Sequence, residues 1–193
     1  MKYSQPSYYH FSDPSIELVK FACDHHCFND NDSIIDIFAG CGILGLELSE
    51  RLKFKPLIDF CEIQQDSIYH LRKNINQLGL QQYNIFEYSY ERLKGEYSVI
   101  LANPPYFEQG EARLSDNMQK NICRHFLNGS INNFLEKSYT LLSKQGILFI
   151  LRPLSSYESF KDKLYETGFK LKEEKLYRTH FLVKASKAKS CFE

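Results

Sequence analysis

Between Ser33 and Phe38 the chain runs almost uninterrupted through apolar residues, and straight after it Gly40, Gly42 and Gly45 lead into a segment of helical period. A short run of that kind suits a central strand of a parallel sheet, which is covered on both faces and needs no polar side. The flanking sequence repeats the alternation. Helices are expected over residues 13–25, 44–53, 65–78, 131–142 and 156–167, and strands over 33–38, 57–63, 84–88, 97–102 and 146–151. Two late segments, 171–178 and 180–185, read as an antiparallel hairpin. Asp13-Pro14 opens the first helix, Gly79 and Gly168 end two others, and Lys144-Gln145-Gly146 reads as a turn after the helix at 131–142. Strands alternating with helices define the α/β class, here a mostly parallel sheet with helices on both faces and a C-terminal antiparallel hairpin.

No repeat or Gly/Ser-rich linker divides the 193 residues, so 1–193 is expected to be one domain, with 43% hydrophobic residues supplying its core. Within it, 1–30 is read as an N-terminal helix and lid. The stretch 103–130 lacks a clear period and is read as an active-site loop. Lysine plus arginine equals aspartate plus glutamate at 24 each, so any nucleic-acid site must be a local patch. The start, Met1 to His10, holds no apolar run, and no membrane-spanning run follows, which predicts a cytoplasmic protein. The cysteines, Cys23, Cys27, Cys41, Cys61, Cys123 and Cys191, are then expected as thiols. Cys23-Asp24-His25-His26-Cys27 has the look of a zinc site, but a second ligand pair is missing. Cys23 and Cys27, four apart, are expected on the buried face of the first helix with Ile16, Val19 and Phe21, and no metal is expected.

The segment from Asp36 to Gly45 is literally G-x-G-x-x-G between a strand and a helix. Glycines there allow a tight turn and close approach of a ligand to free helix amides, a pattern shared by NAD sites, S-adenosylmethionine sites and plain structural turns. Asp36, on the strand just before the glycines, can reach a cofactor's ammonium side, and Glu62, closing the next strand, can accept both hydroxyls of a ribose. Together they favour S-adenosylmethionine.

Straight after the apolar strand 97–102 comes Asn103-Pro104-Pro105-Tyr106-Phe107. Two prolines fix φ and remove two amide donors, leaving a rigid loop that presents acceptors. The Asn103 side-chain oxygen and the Pro104 carbonyl can both accept from one NH₂ group. Holding both protons favours pyramidalisation of a conjugated amine and aims its lone pair at a methyl donor. Tyr106 offers a stacking face worth about 1–3 kcal/mol for a base. Phe107 extends that wall or packs beneath it.

From about Phe11 to Lys184 the chain resembles the class I methyltransferases with an N-P-P-Y loop, and among them the bacterial tRNA adenine-N6 methyltransferases acting beside the anticodon. Besides the two loops, the segment NPPYFEQG from Asn103 to Gly110, the pair Arg124-His125 and Phe181-Leu182-Val183-Lys184 carry the likeness. The resemblance implies a Rossmann-like, seven-stranded class I methyltransferase sheet. It implies S-adenosylmethionine held by Asp36, Ala39, Gly40, Gly42, Glu62 and Asn103, and catalysis at Asn103, Pro104, Pro105 and Tyr106. Tyr106, Phe107 and Arg124 would meet the substrate. Where the family has an aspartate for the cofactor's adenine amine stands Ser89, with Glu87 two residues earlier as a possible replacement. Phe11-Ser12-Asp13 is about one residue shorter than the family's lid pattern.

The expected reaction is methylation of an exocyclic adenine amine in RNA, with transfer RNA as the favoured partner. Glutamine-N5 methylation of a protein, guanine-N2 methylation of ribosomal RNA and adenine methylation of DNA share the loop but normally bring extra domains. A NAD-dependent oxidoreductase or a non-catalytic cofactor-binding partner would also use the glycine loop. Seven basic residues (Lys170, Lys172, Lys175, Arg178, Lys184, Lys187, Lys189) against Glu173 and Glu174 give the terminal hairpin a net charge of +5. With Arg113, Lys120 and Arg124 they are candidate phosphate contacts, or else ordinary charges guarding a sheet edge.

Overall fold

The structure is a computed structural model that describes residues 3–8, 10–11, 13–108, 110–127 and 129–188. Among these, helices α1 (Asp13–His25), α2 (Ile43–Arg51), α3 (Gln65–Leu78), α4 (Met118–Arg124), α5 (Ile131–Leu141) and α6 (Tyr157–Glu166) are interleaved with seven strands. The strands are β1 (Ile34–Ile37), β2 (Ile58–Cys61), β3 (Tyr83–Phe86), β4 (Tyr97–Ala102), β5 (Leu142–Pro153), β6 (Phe169–Tyr177) and β7 (His180–Lys187). They lie in the order β3-β2-β1-β4-β5-β7-β6. The first five are parallel to one another, and β7 is antiparallel to both β5 and β6. This is the sheet the sequence predicted.

Why the strands read as apolar without alternation is now plain. Ile34, Val99 and Phe149 face a core built with α1, α2 and α3. Their neighbours Ile35, Ile100 and Leu148 face a second core built with α5 and α6. The central strands β1, β4 and β5 thus bury both of their faces, and burying large aliphatic side chains contributes roughly 1.5–3 kcal/mol apiece. Strand order reverses between β1 and β4, and in such sheets ligands bind in the crevice outside the C-terminal strand ends at that point.

Three local expectations are corrected. Lys144-Gln145-Gly146 is no separate turn: β5 starts at Leu142, opposite Tyr97, and shifts register before Ile147 meets Val99. The stretch 103–130 contains the seven-residue helix α4, capped by the Asn117 side chain, which accepts from the Lys120 amide. It also pairs with itself, through a bridge between Phe107 and His125. The first helix ends at His25, so Cys27 lies beyond its apolar face and is exposed, while Cys23 packs against the first core. Cys23, Cys27, Cys41, Cys61 and Cys123 are free thiols; Cys191, like Ser12, Gln109 and Lys189, lies outside the described residues. No helix among the described residues is long and apolar enough to cross a membrane.

The N-terminal segment is a strap. The Ser4 amide donates to Asn74 Oδ1 at 2.7 Å, and Asn74 Nδ2 donates to both the Ser4 carbonyl (2.8 Å) and the Cys41 carbonyl (2.9 Å). One wholly buried side chain of α3 therefore ties the strap to the glycine loop.

Candidate active site

The glycine loop leaves β1 with Phe38 at φ 63°, Gly40 at 55° and Gly42 at 87°. A left-handed conformation is a genuine outlier for a residue as bulky as phenylalanine and persists only where packing over-determines it. Here the Phe38 ring is held by Tyr90, Phe126 and Phe134 at centroid distances of 5.1, 6.0 and 5.2 Å. The side chain that pays for the strained backbone with packing also lines the site.

Two carboxylates support this loop from different depths. Glu62 Oε2 accepts from the Gly40 amide at 2.7 Å, and Oε1 from the Ile63 and Gln64 amides at 2.8 and 2.9 Å. A carboxylate offers about four acceptor positions, so Oε2 keeps one for a further donor. Burial pushes the Glu62 carboxyl above its usual range, and the three amides pull it back. Asp36 is placed beneath the loop and not at its mouth. It has no exposed surface; Oδ2 accepts from the Gly45 amide at 3.0 Å and Oδ1 has no partner. Burial raises its pKa to about 7, with Glu62's charge adding to the rise and the Gly45 bond opposing it.

Beside the loop is a cavity of about 350 Å³, lined by Gly40, Glu62, Ser89 and Asn103 among others. Its apolar wall is Phe38, Tyr88, Tyr90 and Phe126, which sequence reasoning missed because isolated aromatics in separate segments carry no common signal. Ser89 lines it as aligned, its hydroxyl donating to Glu91 at 2.9 Å. Glu87 does not stand in for it. β3 ends at Phe86, so strand alternation no longer governs, and Glu87 turns to the exterior to pair with Arg72 and Gln65. Ala39 is buried, its amide donating to the Cys61 carbonyl, so it joins loop to strand.

The proline loop closes the other side. Asn103 Nδ2 donates to Ser15 Oγ of α1 at 3.3 Å, and Ser15 is itself wholly buried. Asn103 Oδ1 is shielded from solvent and has no partner. Tyr106 is raised in pKa by burial, against a bond from the Asn103 side chain and the charge of Arg152. Its ring lies 5.3 Å from that of His180. Phe107 is not part of the cavity wall. It packs on His125 at 5.2 Å, with the exposed Arg124 guanidinium 5.5 Å from its ring centre. Of that pair His125 reaches the cavity and Arg124 does not. Pro105 lines it, whereas Pro104 and Tyr106 do not.

Much of the basic hairpin is already engaged. Lys175 binds Glu17 at 2.7 Å, Arg178 binds Asp13 at 2.8 Å, Lys184 donates to the His25 carbonyl at 2.5 Å, and Lys187 lies over Tyr139. These contacts dock the hairpin on α1 and α5 and reduce the charge it offers outward.

The family model of the methyltransferase small domain matches residues 23–177. A tRNA1(Val) (adenine(37)-N6)-methyltransferase of Dyadobacter fermentans is 31% identical over 145 residues, 74% of this chain and 59% of that protein. One of the same name from Haemophilus influenzae is 30% identical, covering 81% and 66%. The chain spans about three fifths of the length of the curated relatives it matches first. Among solved structures, the ribosomal protein L11 methylase of Lactobacillus delbrueckii superposes with a TM-score of 0.71 at 12% identity, over 92% of this chain and 80% of that one. A SAM-dependent methyltransferase of Aquifex aeolicus gives 0.68 at 13%, over 90% and 93%. At such identities the likeness concerns the fold.

Proposed function

We propose, since this chain belongs to the methyltransferase small domain family and takes S-adenosylmethionine as its cofactor, that it methylates the exocyclic amine of an adenine in transfer RNA. The observation that carries the reading is Asn103 Oδ1, a buried acceptor without a partner on the wall of the cavity. Leaving such an atom unpaired costs about 1–3 kcal/mol, a penalty that a bound amine would remove.

The residues present fit the cofactor. A pocket of this size is in the range used for small ligands. Phe38, Tyr88, Tyr90 and Phe126 suit a flat purine, and the spare acceptor on Glu62 Oε2 suits a ribose hydroxyl. Ser89 and Gly40 border the same space, while Gly42 and Asp36 shape the loop from below. When bound, the cofactor supplies an electrophilic methyl on a sulfonium.

The chain's own task is then to present the amine. Ser15 and Tyr106 both engage the NH₂ of Asn103, so the amide is turned with Oδ1 free. Oδ1 and the Pro104 carbonyl accept the two amine protons, which localises the nitrogen lone pair and holds it in line. Tyr106 bears on the base ring, backed by His180. Positioning and preorganised acceptors supply the rate, and the proton lost from nitrogen leaves to solvent through the polar rim. Arg113, Lys120 and Arg124 of the loop are the basic side chains best placed for phosphate; Lys170 and Lys172 stand at the start of β6, at the end of the sheet away from the loop, and Lys175 and Arg178 already have carboxylate partners. Binding to transfer RNA should weaken steeply with salt, and reversing the first group should flatten that slope more than reversing the second.

The test follows a labelled methyl group into bulk transfer RNA, then identifies the nucleoside by mass spectrometry. N6-methyladenosine is the expected product. Methylguanine, or methylglutamine in a protein substrate, would move the acceptor elsewhere, and binding of NADH in place of S-adenosylmethionine would overturn the reading.

A further inference from the structure

We infer that Arg152 is a positioning residue of the methyl transfer, holding the proline loop through two consecutive carbonyls so that Asn103 and Pro104 stay open to the amine. The inference rests on the function proposed above and concerns a residue outside the 103–107 motif.

The argument begins with what two prolines remove. Pro104 and Pro105 have no N–H, so the part of the loop nearest β4 cannot be fastened to the sheet as a donor. It can be fastened only through oxygens, and some of those must remain free for the substrate. The amides of Tyr106 and Phe107 both donate to the Arg124 carbonyl, at 3.0 and 2.9 Å, which anchors the far end of the loop. The carbonyls of the same two peptide groups are met by Arg152. Its Nη1 donates to the Pro105 carbonyl at 2.5 Å and its Nη2 to the Tyr106 carbonyl at 3.2 Å. A planar guanidinium with two parallel donors matches two successive carbonyls in a way that a single ammonium cannot.

Where the arginine sits makes this arrangement unusual. It follows Leu151 near the end of β5, is 3% exposed, and has an Nε without a partner. No carboxylate among the described residues pairs with it at salt-bridge distance, and burial lowers its pKa to about 10, the more distant charges of Glu108 and Glu111 opposing the fall. A buried guanidinium satisfied mainly by carbonyls is a poor stabilising device, since removing charge from water is expensive. As a clamp it has a purpose. Ala102 pairs with Ile150, so Arg152 stands two residues beyond the point where the loop leaves β4, in register to reach under it. The sequence signal was present but faint: a lone charged residue closing the apolar run of β5.

The test compares Arg152→Lys and Arg152→Met with the wild type in three measurements. S-adenosylmethionine affinity by calorimetry should stay within about twofold, since Arg152 does not border the cofactor cavity. The single-turnover rate with transfer RNA should fall at least tenfold in Arg152→Met at saturating RNA, with Arg152→Lys between the two and apparent RNA affinity nearly unchanged. Amide hydrogen exchange should accelerate at Tyr106 and Phe107 while β1 and β2 keep their protection. A purely structural arginine would instead lower cofactor affinity and global protection together, and that pattern overturns the inference. So does a wild-type rate in both variants. If Arg152→Met does not fold, Arg152→Lys carries the test, since it keeps the charge and loses the fork. Should the wild type transfer no methyl to any RNA, the proposed function fails, while the exchange measurement still decides whether Arg152 holds the loop.

Discussion

Two loops leave neighbouring strands at the same edge of the sheet and are made of opposite chemistry. The loop after β1 is rich in glycine: its backbone is free to turn and its amides are donors, which Glu62 and Asp36 gather from below. The loop after β4 is rich in proline: two of its donors are gone, its shape is fixed, and side chains from α1 and β5 hold it. The difference teaches how a site divides its work. On the function proposed above, the glycine loop grips, whereas the proline loop, with the unpaired Asn103 acceptor on the cavity wall, presents the amine.

The contrast is broken most sharply at Asn103. Asn103→Ala should lower the single-turnover methyl-transfer rate about a hundredfold or more, as loss of a preorganised polar contact costs roughly 2.7–4 kcal/mol, while cofactor binding stays nearly intact. Equal losses in both would mean that the two loops share one task.

On the glycine side the expected damage is to the fold. A Cβ on Gly45 would come within 2.6 Å of Phe60 Cε1 and 3.0 Å of Ile58 Cγ2, both wholly buried. Gly45→Ala should therefore destabilise the protein by about 1–3 kcal/mol, read as a lowered denaturation midpoint. An unchanged midpoint would show that β2 yields more easily than its packing suggests.

Asp36 gives a pH signature to that same side. Its folded pKa of about 7 lies above the ordinary 3.8, so between those values the folded state keeps a proton that the unfolded chain has lost. Stability from this group is full below pH 3.8, declines as pH rises and levels off above about 7. Asp36→Asn keeps an acceptor for the Gly45 amide but does not titrate. Its melting temperature should gain on the wild type as pH rises from 4 to 7, and a constant difference would place the proton elsewhere.

The smallest effect is expected at the Tyr106 hydroxyl. Tyr106→Phe keeps the ring and its His180 contact and should slow transfer only a few-fold through the loosened Asn103 amide, whereas Tyr106→Ala should harm both RNA affinity and rate.

These two loops also mark how much could be read from the chain. Strand order, the glycine loop, Glu62 and the Asn103 to Tyr106 motif were legible because each is a local pattern: a run, a spacing, a pair of prolines. Asp36 was found but set at the wrong depth, since sequence shows that a carboxylate precedes a turn and not which side of the turn it supports. Glu87 was misjudged because β3 stops one residue earlier and alternation stops with it. Ser15 and the aromatic wall were invisible, and Arg152 nearly so, for one reason. Their role arises from contacts between residues up to 88 positions apart, as for Asn103 and Ser15, which no periodicity encodes. The hairpin lysines misled in the other direction, since a local count of charge takes no account of Asp13 and Glu17 on α1.

The placement of β7 between β5 and β6 has a consequence for the order in which the molecule can form. Strands β2 to β5 each pair with a strand made before them, so the glycine loop can mature on sequence already synthesised. The far edge cannot close that way: β6 has no place until β7, made after it, has been threaded beside β5. His180 at the start of β7 then backs Tyr106, and Arg178 and Lys184 of the same hairpin dock on α1. The order expected from this topology is cofactor grip before acceptor geometry, so pulse-labelled hydrogen exchange during refolding should find β1 and β2 protected before Tyr106 and Phe107. A chain caught between those stages would bind its methyl donor while still unable to spend it.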